Sequence, residues 1–140
     1  MALQDSRPAL AAVLDHLDSH PDILSLVGAI DIEAQVDSVR VSVFVGDYDH
    51  WHHLGALVAW SRTIGAVDTV TIHGVDEANS TIHLQLEGTL ADGTGVRVRT
   101  LARGRYFDLI KANVDVESAA FPLDLLRQLV AAADAEAVSA

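Results

Sequence analysis

Seven histidines and eight arginines carry most of the chemistry open to this 140-residue chain. They fall into three groups. The densest is Gly46-Asp47-Tyr48-Asp49-His50-Trp51-His52-His53, which sets two carboxylates beside three imidazoles. Imidazole and carboxylate are good ligands for zinc or nickel. His50 and His53 are three residues apart and share a face if helical. Asp49, His50 and His53 are therefore candidate ligands for a divalent transition metal, and His52 extends the set toward histidine-based catalysis. The plainer reading is that aspartates settle at a helix N-terminus for its positive dipole end, with solvated histidines beside them. A second group, His16 and His20, has the i, i+4 spacing that chelates a metal on one turn. Pro21 works against it by pushing His20 out of the helical region.

The third group is spread over strands. Arg97, Arg99, Arg103, Arg105 and Lys111 hold five of the nine basic residues within a short stretch. Alternation places Arg97, Arg99 and Arg103 on one sheet face with His73 and His83. That face suits a phosphate, an acidic peptide or a carboxylate ligand, because guanidinium groups grip planar anions in bidentate fashion. The plainer reading is a solvated face laced with cross-strand ion pairs, which add little stability when exposed.

The elements that must position these groups follow from periodicity. Residues 8–19 read as a helix, with Ser6 as its cap, Pro8 in its first turn, and Leu10, Val13, Leu14 and Leu17 as its apolar stripe. Pro21 stops it. Ile30 and Ile32, then Val39, Val41, Val43 and Val45, alternate with polar residues and form a hairpin across residues 35–38. Residues 49–64 read as a second helix ended by Gly65, with Leu54, Leu57, Val58, Ser61 and Ile64 buried. Trp51 and Trp60 lie on its flanks and, with Phe44, are candidate exposed aromatics.

A meander follows, with strands near residues 68–73, 81–89 and 96–103. Asp92-Gly93 is a strong turn signal. A three-residue turn with a bulge keeps Val96, Thr100 and Ala102 on the core side with Leu84, Leu86 and Leu90, whereas a one-residue slip would turn them outward. Centred on Gly93, that turn sets Arg99 opposite Glu87 and Arg103 opposite His83, with His73 opposite or diagonal to His83. A short turn or helix over residues 106–112 and a helix over residues 121–135 close the chain. Leu126, Leu129, Val130 and Ala133 line one side of that helix. The order α-β-β-α-β-β-β-α predicts a single α+β domain, with helices packed on a mainly antiparallel sheet of about five strands.

Composition narrows the function further. A chain this size buries roughly 70% of its unfolded surface, and 50% hydrophobic residues exclude a disordered chain. With no cysteine, disulfides, thiol catalysis and cysteine-ligated metals are excluded. A net charge of −11 argues against nucleic acid as a partner. No signal peptide or apolar span is evident, so a cytoplasmic location away from membranes is expected. One lysine against eight arginines reflects a GC-rich genome. There is no phosphate-binding glycine loop, no H-E-x-x-H and no nucleophile elbow.

Three stretches, Val39-Arg-Val-Ser-Val-Phe-Val, Ala59-Trp-Ser-Arg-Thr-Ile-Gly-Ala66 and Glu87-Gly-Thr-Leu-Ala-Asp-Gly-Thr-Gly-Val-Arg-Val98, resemble small uncharacterised proteins of Streptomyces and related actinobacteria, some associated with phages or mobile elements. The resemblance covers roughly residues 39–100. It implies an origin and gives no catalytic residues to carry over.

The expected function is a non-enzymatic binding or interaction module, without a required cofactor, that engages a protein partner or associates with itself. A metal-dependent or histidine-based enzyme at residues 47–53 is the alternative, and it needs those side chains to converge with His16, His20 or His73. An acidic decoy that mimics nucleic acid is a weaker one. The apolar content speaks against it, since decoys need surface charge above all.

Overall fold

Valine alternating with polar residues makes β2 (Val39–Val45) a strand with one buried face, and β2 ties the two halves of the sheet together. We describe the fold from a computed structural model covering residues 2–45, 53–65 and 67–139. Antiparallel to β2 lies β1 (Val27–Ala34), joined through residues 35–38 as the sequence predicts. On its other side β2 pairs in parallel with β5 (Gly95–Arg103), matching Val41 to Val96 and Phe44 to Arg99. The meander β3 (Thr69–Asp76), β4 (Thr81–Thr89) and β5 completes the centre, and β6 (Ala120–Pro122) pairs with the start of β3. The strand order is β1-β2-β5-β4-β3-β6. The α+β class and the mainly antiparallel sheet hold. The sixth strand and the single parallel pairing are additions.

The five helices of the described residues bury their apolar sides in one core. They are α1 (Arg7–Ser19), α2 (Pro21–Leu24), α3 (His53–Ser61), α4 (Arg105–Asn113) and α5 (Leu123–Ser139). Leu54 and Leu57 of α3, Ile110 of α4 and Leu126 of α5 meet Val43, Val98, Leu84 and Leu86 of the strands, all but closed to solvent. Each such side chain contributes about 1.5–3 kcal/mol by leaving water. Two glycines serve the backbone. Gly93, at φ +91, closes the β4–β5 turn in a region that ordinary side chains avoid. Gly88 lies under the chain that leaves α3, where a Cβ would fall 2.7 Å from Val67 Cγ2 and 2.8 Å from the Gly65 carbonyl oxygen.

Several local expectations need correction. The buried stripe of α1 is Ala9, Val13, His16 and Leu17, whereas Leu10 and Leu14 are exposed. The stripe is rotated because α1 docks its histidine side on the chain after α3. Ser6 occupies the cap position without a side-chain bond. Instead Asp5 accepts the Arg7 backbone N–H at 3.0 Å and binds the Arg7 guanidinium. Trp60 is 1% exposed, so it is core rather than a surface aromatic. Phe121 belongs to β6 and packs inward opposite Val70, so α5 begins only at Leu123.

The turn at Ala91-Asp92-Gly93 has three residues. Gly93 N–H donates to the Leu90 carbonyl at 2.9 Å, and Leu90 N–H donates to the Thr94 carbonyl at 2.9 Å. Its centre is Asp92, so every β4–β5 partner lies two positions from the expected one. Arg99 faces Gln85, Arg97 faces Glu87 and Arg103 faces Thr81. An even displacement preserves the faces, and the expected core set is buried.

Candidate functional site

The helices cover one face of the sheet. Among the described residues the opposite face has no helix on it. Alternation brings to it Asp31 and Glu33 from β1, Arg40, Ser42 and Phe44 from β2, and Arg97, Arg99, Leu101 and Arg103 from β5. From β4 and β3 come His83, Gln85, Glu87, Thr71 and His73.

The centre of this face is a connected polar row. Arg99 Nε donates to Gln85 Oε1 at 2.8 Å, and Gln85 Nε2 donates to Glu87 Oε1 at 2.9 Å. Arg97 Nε lies 3.5 Å from the same Glu87 oxygen. Gln85 is buried beneath its neighbours, which fixes the position of Arg99. The guanidinium carbon of Arg99 is 5.9 Å from the centre of the Phe44 ring, within cation–π range. Phe44 is 40% exposed, so this contact faces solvent.

His73 is the extra residue of a β-bulge. Ile72 pairs with Leu84 and Gly74 with His83, which leaves His73 unpaired between them. A bulge re-aims the side chain that it carries. His73, His83, Phe44, Arg99 and Leu101 line one groove of about 360 Å³. Arg103 joins His83 in a shallower hollow with Asp76, Asn79 and Thr81. The Asn79 side-chain amide, at 2.7 Å, and the Asn79 backbone N–H, at 3.2 Å, hold the Asp76 carboxyl below its ordinary pKa, with a smaller contribution from the His83 charge.

The residues expected to form a basic face do come together, with the membership altered. Arg97, Arg99, His73 and His83 share the face, and Arg103 sits diagonal to His83 rather than opposite it. Arg105 and Lys111 leave the strip. Arg105 donates to the Ala133 carbonyl at 3.2 Å and lies over Tyr106, and Lys111 pairs with Glu77 at 2.7 Å. Sequence reasoning missed Leu101 and the Phe44–Arg99 contact. The alternation of β5 could have supplied the first. The second depends on a parallel pairing with no local signal.

Of the other candidate ligands, His16 and His20 line a separate hollow with Leu90 and Asp92. Asp47, Asp49, His50, Trp51 and His52 lie outside the described residues, and His53 enters only as the first residue of α3. Among the described residues no group of three or more histidines or carboxylates could hold a metal. His16 and His20 do come together, with ring centres 4.6 Å apart. His16 is 8% exposed, 5.5 Å from the Trp60 ring, with Nε2 2.9 Å from Thr63 Oγ1. Thr63 Oγ1 donates its own proton to the Trp60 carbonyl at 2.9 Å, so its oxygen accepts from His16 Nε2–H. An activated nucleophile would need the opposite polarity. Burial lowers the His16 pKa, and the nearby His20 charge adds to this. His16 is thereby kept neutral as part of the core wall.

No helix among the described residues is long and apolar enough to cross a membrane. Compared with known proteins, the chain matches no family model, and no curated protein or solved structure is detectably similar to it.

Proposed function

We propose that this chain is a non-enzymatic binding module of the cytoplasm that works through the open face of its sheet. The observation that carries this reading is the asymmetry of the sheet. α3, α4 and α5 pack on one face, with α1 and α2 joining the same core, while the other face presents an exposed Phe44 beside Arg99, whose two terminal nitrogens have no partner among the described residues. An aromatic beside a cation in a concave apolar setting is a common recognition device. Nucleic acid is a poor fit to a chain of net charge −11, because it demands a basic field.

A fragment screen read by amide chemical shifts of the full chain tests this. Binding hot spots attract fragments of varied chemistry, so the shifted amides should cluster in β2, β4 and β5 around Phe44, His83 and Arg99. Clustering on the helical side would overturn the reading. Clustering on residues 47–53 would do the same and favour a histidine-based site instead. Sedimentation velocity on the same sample reports whether a second copy uses the face.

A further inference from the structure

The groove beside Phe44 is unlike the rest of the molecule. The chain carries 20 acidic residues, yet none of the eight described residues that line this groove is acidic. Phe44 and Leu101 supply apolar side chains. Val45, Leu84 and Thr100 direct their side chains to the core, so they present main chain to the groove floor. His73, His83 and Arg99 complete the described lining. Neither imidazole is hydrogen-bonded among the described residues, so each has an N–H to offer.

Among the described residues Phe44–Arg99 is the last β2–β5 pair, and the groove lies beside it. One residue on, Thr100 Oγ1 rather than a backbone N–H donates to the Val45 carbonyl, at 3.0 Å. Both strands run in the same direction, so the groove lies toward the carboxyl end of each. In open sheets that end of adjacent parallel strands is a recurrent binding position. The cation is also preset. Arg99 Nε is anchored by the buried Gln85 and its plane lies near Phe44, which leaves the terminal nitrogens as a fork. A fork of this kind matches a planar carboxylate in bidentate fashion.

We propose that this groove binds a small amphipathic acid, with an apolar aromatic body and one carboxylate. The body lies against Phe44 and Leu101, the carboxylate sits on Arg99, and the histidine N–H groups flank it. The proposal rests on the open face being the working surface and adds the chemistry of the ligand. A volume of about 360 Å³ falls in the range of small-molecule sites, about 300–1,000 Å³, and holds a two-ring acid.

The test titrates the full chain with 2-naphthoate and with its uncharged counterpart naphthalene-2-carboxamide, read by calorimetry and amide shifts. The acid should bind about tenfold or more tightly than the amide, the scale of one charge-assisted hydrogen bond. Arg99→Gln should remove that preference while the amide affinity stays the same. Phe44→Ala should weaken both probes together, and Arg7→Gln, at an exposed ion pair away from the groove, should change neither. Melting curves of each variant establish that it is folded. Equal affinity for acid and amide, or a preference that survives Arg99→Gln, would overturn the proposal. If naphthoate fails while neutral fragments still shift the same face, the ligand class falls and the open-face reading stands. If nothing shifts that face, both fall.

Discussion

The two faces of this sheet are built from alternate residues of the same strands and obey different physics. In β4, Leu84 is buried to the last few per cent while its neighbour His83 is exposed. One face is held by removal of apolar surface from water, with Thr100 as its single hydroxyl bonded across strands to Val45. The other is held by a row of side-chain hydrogen bonds through Gln85, and it leaves an aromatic ring and a guanidinium fork in solvent. The difference teaches that strand alternation lets one strand carry two faces held by different forces, apolar burial on one and side-chain hydrogen bonds on the other.

Substitutions on each face sharpen the contrast. Leu84→Ala should cost about 2–5 kcal/mol in urea unfolding, by lost burial plus a cavity, whereas His83→Ala in the same strand should change stability by no more than about 0.5 kcal/mol. Equal costs would erase the distinction between the faces. Gly88→Ala should cost about 1–3 kcal/mol by overpacking, since the new methyl meets Val67 and the Gly65 carbonyl. Thr100→Val should cost about 1 kcal/mol, the net worth of its bond to the Val45 carbonyl.

His16 gives the covered side a pH signature. Its native pKa is lowered by burial and by His20, so the unfolded chain binds its proton first as pH falls. Its contribution is complete above the ordinary imidazole value of about 6.5 and is lost as pH falls through that value toward the lowered native one. Unfolding free energies from about pH 8 to about pH 5.5 should decline in the wild type and flatten in His16→Gln relative to it. A parallel decline in both would remove His16 as the cause. A second small effect belongs to the open face. Arg97→Gln should cost at most about 1 kcal/mol, and less at high salt, as expected for an exposed pair with Glu87.

Much of this was legible in the sequence because strand alternation and turn chemistry are local. The limits of β4, the four-residue connection between β1 and β2, the buried face of α5 and the three-residue length of the β4–β5 turn are as read, while the centre of that turn is Asp92 rather than Gly93. Alternation fixes only which face a residue takes, however, so the β4–β5 register was open to an even displacement, and Arg99 found Gln85 instead of Glu87. The bulge at His73 shifts the inward positions of β3 from even to odd numbers, and β6 is three residues ending in a proline that reads equally well as a helix start. Trp60 was misjudged because a tryptophan at a helix flank is buried only when another element, here α1 with His16, packs over it. The Phe44–Arg99 contact was beyond reach, since nothing near either residue announces a parallel neighbour from the other half of the chain.

That parallel seam also orders the events of folding. The β1–β2 hairpin and the β3–β4–β5 meander each form from neighbours in sequence, whereas Thr100 meets Val45 across 55 residues. Closing so long a loop must precede any reward from its contacts, so the seam, like the β3–β6 pairing, is a slow, nonlocal step. The groove beside Phe44 straddles it and comes into being only when the two halves join. A ligand held there binds the joined state and neither half alone, and so acts on dissociation of the halves and slows unfolding from the seam outward.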